Sequence, residues 1–410
     1  MANPVYCSAT ARQAAKCGII ANCLDYRKTA CASLHDALMK SRHDMIERYI
    51  GLMSGTSLDG VDAVLLEMDA QGKPHVVEDS FLPFPAGVRE QVLQLQAIGH
   101  NELDLAARLA NALARIYADV VAQLLGKAAV PASAIRAIGC HGQTIRHAPH
   151  AAYTVQIGNH ALLAELTGID VIGDFRSRDV AAGGHGAPLV PAFHQDVFAS
   201  DTENRVILNI GGISNLTRLH RSLPVIGFDC GPGNMLLDAW CQRHTGKAYD
   251  ANGDWAASGC LHLPLLQQML ADDYFQLPPP KSTGRDLFDI NWLEQQLAAW
   301  PALDAADVQH TLLQLTAHSI AGEIRRHCPQ TQSMHVCGGG AHNAALMQAL
   351  QQQLPDIRIC STAELGLPVH QVEAAAFAWL AWRFCHRRPA NLPEVTGAAG
   401  LRVLGALYPA

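Results

Sequence analysis

The chain lacks an apolar run long enough to cross a bilayer. Arg205 and Arg218 bound the uncharged run 206–217, the run 374–382 is shorter still, and 327–355 is uncharged but rich in Gln, His and Gly. A spanning helix needs about 20 apolar residues, so an integral helical membrane protein is excluded. Charge is also scarce. Only 16% of residues are Asp, Glu, Lys or Arg, against about 25% in an average domain. The excess is acidic, 30 basic residues against 37 acidic, for a formal net charge of −7. That sign gives no general electrostatic footprint for nucleic acid or an anionic membrane, although a local basic patch stays open.

Metal and redox signatures are missing too. None of the 12 cysteines forms a CxxC pair, and the 20 histidines include no HExxH. Cys7, Cys17, Cys23 and Cys31 cluster near the start at spacings unsuited to zinc. The apolar stretch 18–24 is short and broken by Asn22, so it is no signal-peptide core. The body therefore reads as a reduced, cytoplasmic protein with single buried cysteines. Segment 1–44 has weak periodicity and is expected to be an extension outside the fold, with Met45 as a natural start. A transit peptide is the lesser reading, because Asp25, Asp36 and Asp44 are acidic.

What is present is an alternation of short apolar strands and helical stretches over a length that predicts two domains. Strands are expected at 49–53, 62–68, 137–140, 153–157, 170–172, 206–210, 225–229 and 334–337. Helices are expected at 103–125, 160–166, 234–243, 343–354 and 372–384, with several more between 261 and 327. This is an α/β pattern, with ligands at the C-terminal ends of strands. The stretch 174–191, rich in Gly, Arg and Pro, reads as a flexible crossover or a functional loop, and the domain junction is placed there.

Four glycine-rich turns follow apolar strands: Met53 to Asp62, Asn209 to Asn215, Asp229 to Asn234, and Cys337 to Asn343. Glycine lets backbone N–H groups approach an oxyanion, hydroxyls add donors, and a nearby Asp can hold a hydrated Mg2+. None matches the Walker or dinucleotide fingerprints, and each taken singly is also what a tight turn looks like. Two such turns opening separate halves, with a late Gly338-Gly339-Gly340 before a helix, suggest two lobes closing on a nucleotide.

Together with His141-Gly142-Gln143-Thr144, Gln156-Ile157-Gly158-Asn159 and the run from Asp174 to Gly184, these turns make seven motifs in order from about Tyr49 to the C-terminus. In them the chain resembles the anhydro-N-acetylmuramic acid kinase family of the sugar kinase, Hsp70 and actin superfamily. The resemblance implies a two-lobed, actin-like ATPase fold with ATP and sugar in the cleft. Lobe I would be 45–173 with 388–410, and lobe II 174–387. It implies an ATP-dependent kinase that hydrolytically opens the anhydro ring of 1,6-anhydro-N-acetylmuramic acid and phosphorylates O6. The products would be N-acetylmuramic acid 6-phosphate and ADP, in cell-wall recycling. A homodimer is expected from the same resemblance, with Mg2+ as cofactor.

Site residues follow. Asp229, ending an apolar strand before a Gly-Pro-Gly turn, is the candidate base, and the family's base falls at this position; its competitors are Asp59, Asp62, Asp174 and Asp179. ATP is assigned to Gly55, Thr56, Ser57, Leu58, Asp59, Gly60, Val61 and Asp62 in the first turn, to Gly211 and Gly212 in the second, and to Gly338, Gly339, Gly340 and Asn343 in the last. Asp59 is the candidate metal contact, through water. For the sugar, Thr144 would orient the attacking water. Arg178, with Arg176 nearly as good, would pair the lactyl carboxylate in bidentate fashion. Glu373 matches a family acid near the sugar. The Lys281-Ser282-Thr283-Gly284-Arg285 stretch also matches the family and is expected near the cleft, with no role assigned. An ATP-gated module that binds a protein partner is the alternative of a different class; a kinase must show a sugar pocket with a base aimed into it.

Overall fold

A computed structural model describes residues 46–55, 58–69, 72–284 and 287–410. Residues 1–45, Thr56, Ser57 and Arg285 lie outside the described residues, so the expectations placed on them do too. The first strands are β1 (Glu47–Met53), β2 (Gly60–Met68), β3 (Pro74–Pro83), β4 (Ala137–Cys140) and β7 (Val171–Gly173), with β5 (Gln143–Ala148) and β6 (Tyr153–Ile157) forming a separate hairpin. The second set is β8 (Arg205–Ile210), β9 (Ile213–Leu219), β10 (Ile226–Pro232), β11 (Ser333–Cys337) and β12 (Arg358–Ser361), and β13 (Ala406–Tyr408) follows.

The two sheets repeat one plan. In the first, β1, β2 and β3 form an antiparallel meander and β4 and β7 add in parallel, for the order β13-β7-β4-β1-β2-β3. In the second, β8, β9 and β10 form the meander and β11 and β12 add in parallel, for the order β10-β9-β8-β11-β12. A long helix bridges meander and parallel strand in each half, Glu102–Ala128 in the first and Ala305–His327 in the second. The fold is thus α/β, as expected. Parallel pairing requires crossovers, and these helices supply them.

The helices that leave each sheet cross to the other. Val190–Phe198 follows β7 and packs on β9, while Val372–Cys385 follows β12 and packs on β1, β2 and β4. They meet where Trp379 Nε1 and Arg383 Nη1 donate to Asp196 Oδ2 at 3.2 and 3.1 Å. The core between them joins Tyr49, Val64 and Ile172 of the first sheet to Ile207, Leu219 and Val225 of the second half. Val372–Cys385 can lie this close because β1 and β4 present Gly51 and Gly139, paired in register. A Cβ there would meet the carbonyls of Ala374 and Phe377 at 1.8 and 2.0 Å.

The 174–191 stretch is pinned by a buried carboxylate. Asp179 Oδ2 accepts from Gly186 N at 2.8 Å, and its Oδ1 accepts from Asn391 Nδ2 at 2.7 Å and Thr396 Oγ1 at 2.9 Å. Asp179, a competitor for the base role, therefore ties this segment to the C-terminal one. Of the eight cysteines among the described residues, all are free thiols and five are buried.

Candidate active site

The turn after β8 is a hub on which two other glycine turns rest. Gly233 N and Met235 N donate to Gly212 O at 2.9 and 3.1 Å, and Asn234 N donates to Gly211 O at 2.8 Å. Asn234 Nδ2 donates to Ile210 O at 3.3 Å. The last turn presses on the same place: a Cβ on Gly338 would lie 2.3 Å from Asn209 Oδ1, and one on Gly340 would lie 2.3 Å from Ile210 Cγ2. Gly338 also has φ +79°, a conformation that favours glycine. By contrast Gly211, Gly212 and Gly339 have their nearest neighbours at 3.6, 3.7 and 3.8 Å. They are the uncrowded faces of the hub.

Helices Met235–Thr245 and Ala344–Gln353 start from these turns. Part of their first-turn N–H set is taken up by Gly212 O and Asn343 Oδ1, and the positive dipole ends favour an anion nearby. Asn343 Oδ1 caps the second helix by accepting from Leu346 N at 3.0 Å, so its oxygen is committed to the fold and its amide nitrogen remains.

The first turn is tied to the His141 loop. Ser54 Oγ is 2.9 Å from Tyr117 Oη and donates to Gly142 O at 3.1 Å, and Gln143 Nε2 donates to Gly55 O at 3.3 Å. Leu58 adopts φ +61° with its side chain buried, and Val61 is buried in the same core. The backbones of Gly60, Val61 and Asp62 sit in the β2–β3 ladder. Among the described residues, this turn offers a ligand mainly Gly55 and the exposed Asp59.

Asp229 stands in the middle of β10, partly buried; where a strand end and a Gly-Pro-Gly turn were expected, Gly231 and Pro232 continue the strand by pairing with Ser214 and Ile213, after a register shift just past Asp229. Its Oδ2 accepts from Ser282 Oγ at 2.9 Å and Thr283 N at 3.0 Å. Among the described residues Oδ1 has no hydrogen-bond partner. Burial pushes the carboxyl up, against the two donors and the nearby Lys281 charge. The result is a carboxylate locked at one oxygen, with the other free, and a raised proton affinity. That is what a general base needs.

A second polar group forms across the loops. Arg176 Nη2 and Nε donate to His141 Nε2 at 2.9 and 3.2 Å, and Nη1 donates to Gly186 O at 2.8 Å. His141 is therefore neutral with its proton on Nδ1. Burial first, then Arg176, pushes it down to about 3. Glu373, in the first turn of Val372–Cys385, is raised by burial and held back by Arg176, and Asn209 Nδ2 reaches its Oε1 at 3.5 Å. Asp62 belongs to the same field: burial, then the Glu373 charge, pushes it up to about 6, against His370.

Thr144 Oγ1 accepts from Gln156 Nε2 at 3.3 Å, at a bulge in the β5–β6 hairpin. Arg178 lies exposed on the short helix Ser177–Val180, without an ion-pair partner among the described residues, while Arg176 two positions earlier turns inward to Glu373. Asp174 accepts from Ser177 Oγ at 2.5 Å on the surface. Among the described residues, no hydrogen bond or ion pair joins the Asp229 group to the Glu373 group. The Ser282 and Thr283 contacts to Asp229, the His141–Arg176 pair and the Asp62–Glu373 pairing were not legible as roles. The sequence names Asp62, Arg176, Glu373 and the His141 and Lys281 stretches as candidates but does not show which of them meet.

A family profile described as anhydro-N-acetylmuramic acid kinase matches residues 47–410. The chain is 61% identical over 366 residues to a protein of Chromobacterium violaceum named anhydro-N-acetylmuramic acid kinase, covering 89% of this chain and 100% of that one. It is 55% identical over 367 residues to a Paraburkholderia xenovorans protein of the same name, covering 88% and 97%. Among solved structures it is similar to an ADPNP-bound activator of 2-hydroxyisocaproyl-CoA dehydratase from Clostridium difficile. That match has 13% identity and a TM-score of 0.44, and covers 84% of this chain and 96% of that one.

Proposed function

The chain belongs to the anhydro-N-acetylmuramic acid kinase family, and from that premise we propose how its residues divide the work. The activity that goes with this membership is ATP-dependent opening of the anhydro ring of 1,6-anhydro-N-acetylmuramic acid with phosphorylation of O6. It yields N-acetylmuramic acid 6-phosphate and ADP for peptidoglycan recycling.

The observation that carries the division of roles is the Asp229 carboxylate, one oxygen fixed by Ser282 and Thr283 and the other without a partner among the described residues. In this reading Asp229 takes a proton from a water attacking C1. As the C1–O6 bond breaks, O6 is captured by the γ-phosphorus of ATP instead of by a proton, so one carboxylate suffices where glycoside cleavage usually uses two. Phosphoryl transfer asks the protein mainly for positioning and charge neutralisation. Gly211, Gly212 and Gly339 give the nucleotide its open backbone faces. Gly338 and Gly340 hold the last turn against the hub, and Gly55 supplies the first-turn cradle.

Mg2+ would neutralise phosphate charge when bound. Among the described residues no cluster of three or more His, Cys, Asp or Glu could hold a metal alone. The exposed carboxylate of Asp59 is a hard oxygen donor that fits outer contact through water to a cation carried by the nucleotide.

On the sugar side, Thr144 orients the water, Glu373 contacts the ring and Arg178 pairs the lactyl carboxylate, with Arg176 as the alternative because it lies beside Glu373. The lobes of this reading are 45–173 with 388–410, and 174–387, with Val372–Cys385 crossing between them. A homodimer in the cytoplasm completes it; among the described residues no helix is long and apolar enough to cross a membrane.

The test is coupled ADP release with 1,6-anhydro-N-acetylmuramic acid against a panel of hexoses, for the native chain and for Asp229→Asn. We expect turnover with the anhydro sugar alone. The variant should bind ATP but lose roughly 10²–10⁴ in turnover. Near-normal turnover of the variant moves the base elsewhere.

A further inference from the structure

We propose that residues 281–283 are a positioning clamp for Asp229, anchored by the buried Lys281–Glu323 ion pair. The inference rests on the reading of Asp229 as the base. Three kinds of contact meet at this one residue. Asp229 N donates to Lys281 O at 3.1 Å, and Tyr274 Oη donates to Asp229 O at 2.8 Å. The N–H side is thus held by the segment that also supplies Ser282 Oγ and Thr283 N to Oδ2, and the C=O side by Tyr274 from the preceding turn Asp273–Gln276. A carboxylate with both its main chain and one oxygen fixed presents its other oxygen in one direction.

The clamp has a root. Lys281 Nζ donates to Glu323 Oε1 at 3.0 Å and to Tyr274 O at 3.1 Å, and it lies 4.6 Å from the Tyr274 ring centre. The two charged side chains are 2% and 0% exposed. Glu323 projects from Ala305–His327, where Arg326 and His327 also face it. A buried pair of this kind contributes little net stability but is severely destabilising when one partner is removed. Its value here is a fixed place for the backbone of residue 281, hence for the donors at 282 and 283. The charged and titratable groups facing Asp229 are Lys281 from the clamp, Tyr274 from Asp273–Gln276 and Cys230 beside it, with Glu323 behind Lys281. Of these Lys281 is the cation, and it favours the ionised base, as Ser282 and Thr283 do.

The experiment measures kcat, both KM values and the pH profile of kcat/KM for Ser282→Ala, Ser282→Thr, the paired exchange Lys281→Met with Glu323→Gln, and Asp229→Asn. The paired exchange removes both buried charges together, so neither is stranded; thermal melting checks that it folds. Misplacement of a reacting group by about an ångström costs up to roughly 10² in rate. We expect Ser282→Ala to lose roughly tenfold in kcat with the KM for ATP unchanged. Its acid limb should move to higher pH, because a donor to the carboxylate is gone, and Ser282→Thr should restore both. The paired exchange should move kcat and the acid limb the same way. Native kcat and pH profile in Ser282→Ala and in a folded paired exchange, beside an inactive Asp229→Asn, overturn the clamp. An active Asp229→Asn overturns the base reading instead. If the paired exchange does not fold, Ser282→Ala decides alone.

Discussion

Replacing Gly51 by Ala places one methyl group where the structure has no room. The new Cβ would lie 1.8 Å from Ala374 O and 2.7 Å from Ala378 N, both main-chain atoms of Val372–Cys385. A carbonyl cannot rotate aside as a side-chain tip can. Reaching even 3.0 Å, below which real Cβ contacts essentially never fall, requires helix and strand to part by about 1.2 Å. Overpacking ordinarily costs about 1–3 kcal/mol. This case belongs at the upper end, since the helix is gripped between both sheets through Phe377 and Trp379. The displacement also has a chemical reading: Glu373 precedes Ala374, and its 3.5 Å contact with Asn209 is already at the limit of a hydrogen bond. Gly51→Ala should therefore melt well below the native chain and show a raised KM for the sugar. Gly322→Ala is the control. Gly322 lies within Ala305–His327 with nothing within 4 Å of its Cβ position, so alanine there should add roughly 0.5–1 kcal/mol. Scanning calorimetry and steady-state kinetics read both. A Gly51→Ala protein with native melting temperature and native sugar KM would refute the reasoning.

Two further expectations address the site. Arg178→Lys should raise the KM for the sugar roughly tenfold by losing bidentate pairing, without changing that for ATP; the same effect in Arg176→Lys and not in Arg178→Lys transfers the role to the inward residue. Asp62 is pushed from 3.8 up to about 6, so between these values the folded chain binds a proton that the unfolded chain has released. Its contribution is present below pH 3.8 and is lost as pH rises through 6. Asp62→Asn should flatten the fall in stability across that window in urea titrations at several pH values, and an unchanged slope would show that Asp62 does not cause it.

Strand β4 was legible because burial on both faces writes itself as an apolar run; the half-exposed β6 also falls at the expected residues, and the long helix starts and ends within a few residues of expectation. Strand β9 was not. Its sequence ISNLTRL is half polar, and the expected turn through Asn215 swallowed its first residues; in the fold only Gly211 and Gly212 turn, while Ser214 is buried in the ladder. Strand β3 hid for a related reason, since it runs along an open sheet edge with mostly half-exposed residues. At the site, a carboxylate on an apolar strand was legible at Asp229, although the strand runs on through Gly231 and Pro232 where a turn was expected. What Asp229 touches was not, because Ser282 and Thr283 are some fifty positions away and only the fold brings them back. Arg176 and Arg178 differ by two positions on a helical turn, so which one points inward is decided by His141 and Gly186, far outside any local pattern.

The order in which the ribosome delivers these pieces matters. Strand β13 closes the edge of the first sheet by pairing with β7, about 230 residues earlier in the chain, and the helix that fills the Gly51–Gly139 groove also emerges late. At about 5–20 residues per second, the N-terminal half waits roughly ten to fifty seconds with an unpaired strand edge and a bare apolar groove. Such surfaces invite pairing with other chains. Completion of the first half is thus coupled in time to synthesis of residues 372–408, and a nascent chain halted near residue 370 would be sticky, whatever the state of its second sheet.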